Sequence, residues 1–302
     1  MQETKSGKST TDQWRGYILA VVSGASFGLI PLFTIPVFAV GVGYISTILY
    51  RFAFGSAFML AFLLYRQVSL RISWGDFFRI GMLSLMYVLS AWSLFASYKY
   101  ISSGVATSFV YTNPIWCSVI GMLFFKERMT WRKAIALLLT TLGVMLLSGF
   151  FADDARFSGL GVMLGLWAGI TYGIYLVLLP RLRISKMPSL KLTFYIFFIA
   201  LLIVTVYALV VEGGFDEVPD TKTWINLMLL GVLPTAFSNI CVTMALRLVD
   251  TTAVAILGAF EPLTAMVIGI VVLGEPCGVA TIMGVLMVLA AVTILTWRSK
   301  RS

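Results

Sequence analysis

The chain of 302 residues contains no histidine, three cysteines and few charged side chains. Without histidine it lacks the commonest general base and the commonest zinc ligand of proteins. Cys117, Cys241 and Cys277 lie in or beside apolar stretches without paired spacing, so they indicate neither a disulfide framework nor a metal site. The sequence has no G-x-x-x-x-G-K-S/T loop, which argues against coupling to ATP within this chain. We therefore expect no catalytic residue, no metal and no cofactor.

What is present is mostly apolar: 60% of the residues are hydrophobic, 12% are charged, and the mean hydropathy is +0.97. A soluble domain carries about twice this fraction of charge. Stretches of about 20 apolar residues, the length that crosses a bilayer, recur along the chain. We predict an all-α integral membrane protein with ten transmembrane helices. These predicted spans 1 to 10 lie at about residues 15–38, 44–65, 77–98, 103–125, 132–150, 159–180, 190–211, 224–246, 251–273 and 277–297.

The net charge of +9 is distributed unevenly among the loops. If the N-terminus is cytoplasmic, most of the 22 Lys and Arg residues lie on the cytoplasmic side. Lys99, Arg156 and Lys222 lie on the other side, and Arg51 lies within span 2. This positive-inside pattern predicts a multi-pass protein of the cell membrane with both termini in the cytoplasm. It also accounts for the basic charge without a nucleic-acid partner.

Two segments of the chain are similar to each other. Residues 111–127 have the sequence YTNPIWCSVIGMLFFKE, and residues 259–275, at an offset of 148, have the sequence AFEPLTAMVIGIVVLGE. Both contain a polar residue before proline, a shared Val-Ile-Gly and a closing glutamate. A second correspondence, at an offset of 145, pairs small residues of spans 1 and 6 at four-residue spacing. It matches Gly16, Ala20, Gly24 and Gly28 with Gly161, Gly165, Gly169 and Gly173.

The duplication predicts two five-helix repeats, residues 1–152 and 153–302. Because five is an odd number, the second repeat enters the membrane from the opposite side. The repeats are then inverted relative to each other around a central cavity, and the loop around Asp153 is external. Small residues spaced by four share one helix face and let backbones approach closely. The two glycine stripes therefore serve tight packing, or they provide smooth faces that slide during transport.

Several of these residues resemble a known family, the EamA-domain group of the drug/metabolite transporter superfamily. The residues that carry the resemblance are Arg51-Phe52, Pro114, Lys126-Glu127, Glu261-Pro262 and Gly274-Glu275. The resemblance covers residues 15–298 and implies a ten-helix inverted-repeat exporter or permease. Its central cavity would be lined chiefly by helices 1, 3, 4, 6, 8 and 9. The family handles amino acids, other metabolites and drugs, so the resemblance implies no particular substrate.

Two polar-proline pairs, Asn113-Pro114 and Glu261-Pro262, lie near the centres of spans 4 and 9. A proline within a helix removes one backbone donor and frees the carbonyl four residues earlier. In hydrocarbon such a carbonyl needs another partner or must face a cavity. Pro114 and Pro262 are therefore either kinks that shape the packing or hinges beside a binding site at the repeat interface.

Glu261 is the most informative single residue. A carboxylate at the centre of the bilayer is costly unless it is neutralised, paired or exposed to water. Arg51 in span 2 is the natural candidate partner. The two side chains form a structural ion pair, or Glu261 binds a substrate cation or exchanges a proton as the cavity changes sides.

Other polar and aromatic side chains complete the predicted set of substrate contacts. Asn239 in span 8 is costly to expose to lipid, so it should face protein or water. Ser26 in span 1 and Thr171 in span 6 would contact substrate if they face inward, but hydroxyls can instead bond to their own helix. Trp92 in span 3 and Tyr111 in span 4 are the aromatic candidates. The same spans also contain further hydroxyl and aromatic side chains: Ser23, Ser90, Ser93, Ser238, Thr243, Tyr87, Trp116, Trp167, Tyr172 and Tyr175.

Taken together, these features favour a secondary transporter that moves small organic solutes outward by alternating access. Amino acids, related amphipathic solutes or drugs would suit an aromatic cavity with few charges. The chain would act in the lipid bilayer as a monomer or weak homo-oligomer. A membrane sensor or scaffold is the alternative, but the short loops leave no sizeable soluble module for it. A membrane-embedded enzyme is disfavoured because catalytic groups are scarce among the spans.

Overall fold

The computed structural model describes residues 10–97, 99–101, 103–127, 129–147, 150, 158–182, 184, 187–273 and 278–296. Within these residues the chain is helical between short turns and contains no strand. The first half contains α1 (Thr10–Phe27), α2 (Ile30–Ala39), α3 (Tyr44–Tyr65), α4 (Trp74–Ser97), α5 (Ser103–Val110), α6 (Asn113–Phe125) and α7 (Trp131–Leu147). The second half contains α8 (Gly159–Leu178), α9 (Ser189–Tyr207), α10 (Thr221–Leu230), α11 (Ser238–Leu248), α12 (Thr251–Leu257), α13 (Phe260–Leu273) and α14 (Val279–Thr296). Two π-helical segments, Ala208–Glu212 and Gly231–Phe237, follow α9 and join α10 to α11.

Eight helical runs of the described chain are long and apolar enough to cross a membrane. The all-helical prediction is confirmed at this level. Where spans 4 and 5 were predicted, the helices are shorter. A turn separates α5 from α6, and α7 has 17 residues. The count of ten spans therefore stays a prediction.

Some features of the sequence lie outside the described residues. They are the boundary at residues 152 and 153, the loop around Asp153, Gly274-Glu275 and Cys277. Within the described part, Cys117 and Cys241 are buried and free. The same part contains no cluster of three or more side chains that could hold a metal ion.

The span that contains Pro114 is a broken helix. α5 ends at Val110 and α6 begins at Asn113, so Pro114 lies in the first turn of α6. Proline is tolerated there because the first backbone N–H groups of a helix have no intrahelical partner. The Val110 carbonyl, which proline leaves free, accepts a hydrogen bond of 3.1 Å from Asn113 Nδ2. Asn113 thus closes the break with its own side chain.

The second half repeats this break with different chemistry. α12 ends at Leu257 and α13 begins at Phe260, which places Glu261 and Pro262 in the first turn of α13. The Gly258 carbonyl accepts a hydrogen bond of 2.9 Å from the backbone N–H of Glu261. The Glu261 carboxylate is therefore not used to close the break, and it remains available to the space beside it.

The glycine stripe of α1 lies against the break between α12 and α13. A Cβ atom on Gly24 would lie 3.1 Å from the Gly258 carbonyl oxygen, and a Cβ atom on Gly28 would overlap the Glu261 carbonyl oxygen. The absence of side chains at these two positions lets the backbone of α1 approach the broken helix closely.

The same arrangement recurs where α8, in the second half, packs against the break in the first half. A Cβ atom on Gly169 would lie 2.8 Å from the Phe109 carbonyl oxygen, and one on Gly173 would lie 3.4 Å from the Asn113 carbonyl oxygen. These are the two positions that the sequence correspondence equates with the α1 glycines. Each stripe therefore packs on the broken helix of the opposite half.

The direction of α1 follows from its contacts. Ser23 of α1 and Ser238 of α11 exchange hydrogen bonds, each hydroxyl donating to the other residue's carbonyl at 2.9 and 2.8 Å. Gly16, one end of the stripe, lies against Val249, just beyond the end of α11. α1 therefore runs antiparallel to α11. Its contacts with the break make it parallel to α12 and α13.

The direction of α8 is opposite. Arg181, just beyond α8, binds Glu127, just beyond α6, and also Thr251, the first residue of α12. The C-terminal ends of α6 and α8 thus lie beside the N-terminal end of α12. Since α1 is parallel to α12, the two helices that the sequence correspondence equates point in opposite directions.

Helix pairing follows the same symmetry. α1 packs on α11 and α13, and α8 packs on α4 and α6. α3 packs on α9, and α7 packs on α14, where Gly143 and Gly284 face each other's carbonyl. The same pairs result when each helix is replaced by its counterpart in the other half. Each pair joins one helix of the first half to one of the second, so the core forms between the halves rather than within each one.

Gly169→Ala tests the packing of α8 against the break. The added methyl group would meet the Phe109 carbonyl oxygen and Thr112 Oγ1, both at 2.8 Å. We expect a loss of about 1–3 kcal/mol, typical of overpacking, seen as a lower midpoint of thermal unfolding in detergent. Gly81→Ala is the matched control because a Cβ atom there meets nothing within 4 Å. Because alanine has a higher helix propensity than glycine, this variant should be as stable as the wild type or more stable. Equal midpoints for both variants would contradict the packing.

Candidate functional site

A cavity of about 680 Å³ lies between the two halves. Its volume is within the range of about 300–1,000 Å³ that holds small organic ligands. The polar lining consists of Ser23, Thr34, Arg51, Tyr87, Ser90, Tyr111, Asn113, Tyr172 and Glu261. The apolar lining includes Phe27, Phe38, Leu94, Phe95, Leu176, Val254 and Met266. Most of the lining residues come from the spans that the resemblance implies, which are spans 1, 3, 4, 6, 8 and 9. Arg51 of α3 (span 2) and Leu147 of α7 (span 5) are additional.

Glu261 and Tyr111 meet at the cavity from opposite halves. Glu261 lies in the first turn of α13, where the helix dipole favours a negative charge. Tyr111 lies in the turn between α5 and α6, and its side chain lines the same cavity and interacts with the Glu261 carboxylate. The two helix breaks therefore bring a carboxylate and a donor to one point on the cavity wall.

Arg51 is held by the π-helical segment Gly231–Phe237. Its guanidinium Nε donates to Thr235 Oγ1 at 2.5 Å, and the Thr235 hydroxyl donates in turn to the Leu230 carbonyl at 2.8 Å. Arg51 is 7% exposed, so this cation is almost fully removed from solvent while it still lines the cavity. Sequence reasoning missed Thr235; the signal that could have found it is the neighbouring proline in span 8.

A direct ion pair between Arg51 and Glu261 is not formed. Both side chains face the same cavity and interact electrostatically. In the part of the chain that the structure describes, however, the ion pairs within 4.0 Å are Arg79–Asp76, Lys133–Asp250 and Arg181–Glu127. A structural Arg51–Glu261 pair is thus absent from the described part of the chain.

Three tyrosines form one wall of the site. Tyr172 stacks on Tyr175 with ring centroids 5.8 Å apart, and Tyr87 meets both rings edge-on at 6.2 and 5.3 Å. Tyr87 and Tyr172 line the cavity, whereas Tyr175 is fully buried behind them. These edge-on and stacked contacts fix the ring positions. The wall is therefore a surface of mutually packed aromatic rings.

Two predicted polar contacts are used within the protein instead. Asn239 is fully buried and its Nδ2 donates to the Thr235 carbonyl at 2.8 Å. Thr171 donates to the carbonyl of Trp167, one turn earlier in its own helix, at 2.8 Å. Neither residue belongs to the cavity lining among the described residues.

Ser26, Trp92 and Pro114 also lie outside the lining within the described part of the chain. Trp92 packs edge-on against Tyr207, with ring centroids 6.5 Å apart. Pro114 is buried next to Asn113 in the first turn of α6. Of the predicted site residues, the structure therefore brings together Glu261, Asn113, Tyr111, Arg51 and Pro262.

Four charged residues, which we call the ionic cluster, lie together at one end of the bundle: Glu127, Lys133, Arg181 and Asp250. Arg181 binds Glu127 and stacks on the Phe125 ring at 4.2 Å. Lys133 Nζ lies 3.0 Å from Asp250 Oδ1. The cluster joins the ends of α6 and α8 to the starts of α7 and α12. It lies beyond the cavity, whose lining reaches Val254 on this side.

Toward the other end of the bundle, the cavity lining continues along α2 to Phe38 and along the turn before α5 to Ile101. Both residues lie at the end of the molecule opposite the ionic cluster. The described lining therefore extends farther from the two helix breaks toward this end than toward the ionic cluster.

Comparison with known proteins agrees with this architecture. The EamA-like transporter family matches the chain twice, over residues 14–149 and 159–297. A solved crystal structure that is 16% identical superposes with a TM-score of 0.80, over 95% of this chain and 98% of that one. At that identity the superposition shows a shared fold.

The named relatives also have low sequence identity to this chain. A protein of Archaeoglobus fulgidus named an uncharacterized transporter is 26% identical over 216 residues, which are 72% of this chain and 75% of that protein. YdfC of Bacillus subtilis, also named an uncharacterized transporter, is 26% identical over 181 residues, 59% of this chain and 57% of its own. The biotin transporter of Escherichia coli is 24% identical over 260 residues, 84% of this chain and 85% of its own. Because the family match covers both halves and nearly the whole length, the chain belongs to the EamA-like transporter family.

Proposed function

We propose that this membrane transporter is a secondary carrier that moves small organic solutes across the cell membrane by alternating access. The cavity is the observation that carries the proposal. It lies where the broken helices of the two halves meet, and its lining holds one buried cation and one carboxylate. Sites built from broken helices at a repeat interface are typical of such carriers.

In this proposal the chain crosses the bilayer ten times as two inverted repeats. The opposite directions of α1 and α8 support inversion. The 17 residues of α7 reach the lower end of the range of about 17–25 residues that spans hydrocarbon. With the N-terminus in the cytoplasm, the excess of Lys and Arg in the cytoplasmic loops applies to both halves.

The same topology assigns the two ends of the cavity. The ionic cluster then lies at the cytoplasmic end, so the cavity is open toward the outside and closed toward the inside. Alternating access requires the cluster to separate when the cavity opens inward. Export follows if Glu261 takes up a proton from outside and releases it inside, because the inward proton gradient then drives the solute outward.

The walls of the cavity favour an amphipathic solute. Aromatic and aliphatic side chains cover most of the lining, and the polar groups gather around Glu261 and Arg51. Amino acids, related metabolites and drugs have this mixture of apolar and polar surface. The relative named a biotin transporter supports a small organic cargo of this kind.

Labelling from each side of the membrane tests the inversion. In a variant whose native cysteines are replaced by serine, a cysteine at Asp153 should react with an impermeant maleimide added outside intact cells. The matched control is a cysteine at Ser69, which is exposed between α3 and α4 and should react only after permeabilisation. Protection of the Asp153 position in intact cells, with labelling after permeabilisation, would rule out the proposed topology.

Glu261→Gln tests the coupling role. Comparative metabolite profiling of the medium of cells with and without the chain identifies a transported solute, whose flux is then measured in proteoliposomes. We expect the variant to equilibrate this solute without accumulating it under a pH gradient, because an amide carries no exchangeable carboxyl proton. Glu217→Gln, at an exposed loop position, should behave as the wild type. Full gradient-driven accumulation by Glu261→Gln would exclude Glu261 as the proton carrier.

Charge reversal tests the ionic cluster as the cytoplasmic closure. In Arg181→Glu, repulsion between like charges should separate residue 181 from Glu127. A cysteine at Ala255, in the cavity wall, should then be labelled faster from the cytoplasmic side. A coupling of about 1 kcal/mol would raise that rate roughly 5-fold. The double variant Glu127→Arg with Arg181→Glu restores opposite charges and should return the rate to that of the parent. An unchanged rate in the single variant would show that this pair does not close the cavity.

A further inference from the structure

The unusual feature of the cavity is a largely buried cation that, among the described residues, has no carboxylate within ion-pair distance. Within the described residues, the Arg51 guanidinium has one hydrogen-bond partner, Thr235 Oγ1, and no carboxylate within 4.0 Å. That bond uses the Nε–H and leaves the two terminal nitrogens, with four of the five donors of a guanidinium. An ionic side chain at membrane depth is costly unless something compensates it. The structure thus leaves a place for an anion.

The Thr235 hydroxyl is oriented to serve Arg51. It donates to the Leu230 carbonyl, five residues earlier, at 2.8 Å. Its lone pairs are then free to accept from the Arg51 Nε–H. A bond to the fifth preceding residue belongs to the π-helical segment, and such segments occur frequently at functional sites.

Backbone packing holds Arg51 in place. A Cβ atom on Gly55 would lie 3.0 Å from the Gly231 carbonyl oxygen, and one on Gly231 would lie 2.9 Å from the Arg51 carbonyl oxygen. α3 and the π-helical segment therefore touch backbone to backbone on the turn that carries Arg51. Because both the backbone and the Nε of Arg51 are held, its guanidinium presents the remaining donors in a fixed direction.

We propose that Arg51 binds a carboxylate group of the transported solute, and that Thr235 is the positioning residue that aims the guanidinium at it. The cargo class is then small organic monocarboxylates with an apolar body. This inference rests on the proposed function and names the chemistry of its substrate. The planar guanidinium fork matches the two oxygens of a carboxylate.

The charge of the lining favours a carboxylate over a phosphate monoester. Among the described lining residues the charged side chains are Arg51 and Glu261. Glu261 already supplies one negative charge beside Arg51, so every further negative charge on the solute adds to the cost at membrane depth, and a singly charged carboxylate costs less than a doubly charged phosphate. The apolar body of the solute lies against the tyrosine wall and the aliphatic side chains around it.

Metabolite profiling with matched variants tests this assignment. The culture media of cells that carry the wild type, Arg51→Gln, Thr235→Val or no protein are compared. Solutes whose amount in the medium depends on the protein are then sorted by charge. We expect them to be monocarboxylates and expect Arg51→Gln to abolish their movement. In proteoliposomes, Thr235→Val should raise KM for such a solute roughly 10- to 100-fold, the cost of a lost hydrogen bond to a charged group, with little change in maximal rate.

Two further variants separate positioning from a general loss of structure. Thr235→Ser keeps the hydroxyl and should restore KM. Thr205→Val removes a hydroxyl that bonds the Leu201 carbonyl at 2.8 Å in α9, away from the cavity, and should leave KM unchanged. Size-exclusion profiles check that each variant is folded, and Thr235→Val keeps the test decisive if Arg51→Gln does not fold.

The outcomes are distinguishable. If no solute depends on the chain, both the proposed function and this inference fail. If the dependent solutes are neutral, cationic or phosphorylated, transport stands and the carboxylate assignment is overturned. If monocarboxylates move but Thr235→Val and Thr205→Val have the same KM, Thr235 does not position Arg51.

Discussion

The structure depends on the backbone groups that two interrupted helices expose at membrane depth. In hydrocarbon an unsatisfied carbonyl or N–H costs several kcal/mol, so irregular backbone persists only where protein or a water-filled cavity receives it. The chain meets this constraint twice. Asn113 returns its amide to the Val110 carbonyl, and Glu261 uses its backbone N–H for the Gly258 carbonyl. The glycine stripes of α1 and α8 then cover the breaks closely.

The free carboxylate at the second break determines the chemistry of the site. The Asn113 side chain closes its own helix break, whereas the Glu261 carboxylate is left to face the cavity. Arg51 is likewise fixed by a hydroxyl and not by a carboxylate. Two opposite charges therefore share one cavity without cancelling each other, and low polarity around them strengthens their attraction for whatever enters. A direct ion pair would have satisfied both groups and left little for a solute to bind.

The sequence predicted the positions of the helix breaks better than the set of side chains that line the cavity. The duplication, the two polar-proline pairs and the four-residue glycine spacing placed the breaks and the stripes correctly, because backbone constraints leave local signatures. Four-residue spacing does not say which side of a helix faces a cavity, so Thr171 and Trp92 were not distinguished from Tyr172 and Tyr87. The proline in span 8 marked the neighbourhood of Thr235, but the role of Thr235 requires a π-helical segment and a contact with α3, which the sequence does not reveal. The ionic cluster likewise joins residues that only the fold brings together.

The π-helical segments have a consequence for the symmetry of the molecule. Between spans 1 and 6 the two halves correspond at an offset of 145 residues, and between spans 4 and 9 at 148, so the second half is longer in the interval. Both Ala208–Glu212 and Gly231–Phe237 lie in that interval, and π-helical turns are a way to accommodate inserted residues. The insertion makes the duplicated halves chemically unequal. The two halves therefore contribute unlike walls to the cavity, so in the proposed transport cycle the two ends of a solute are not interchangeable.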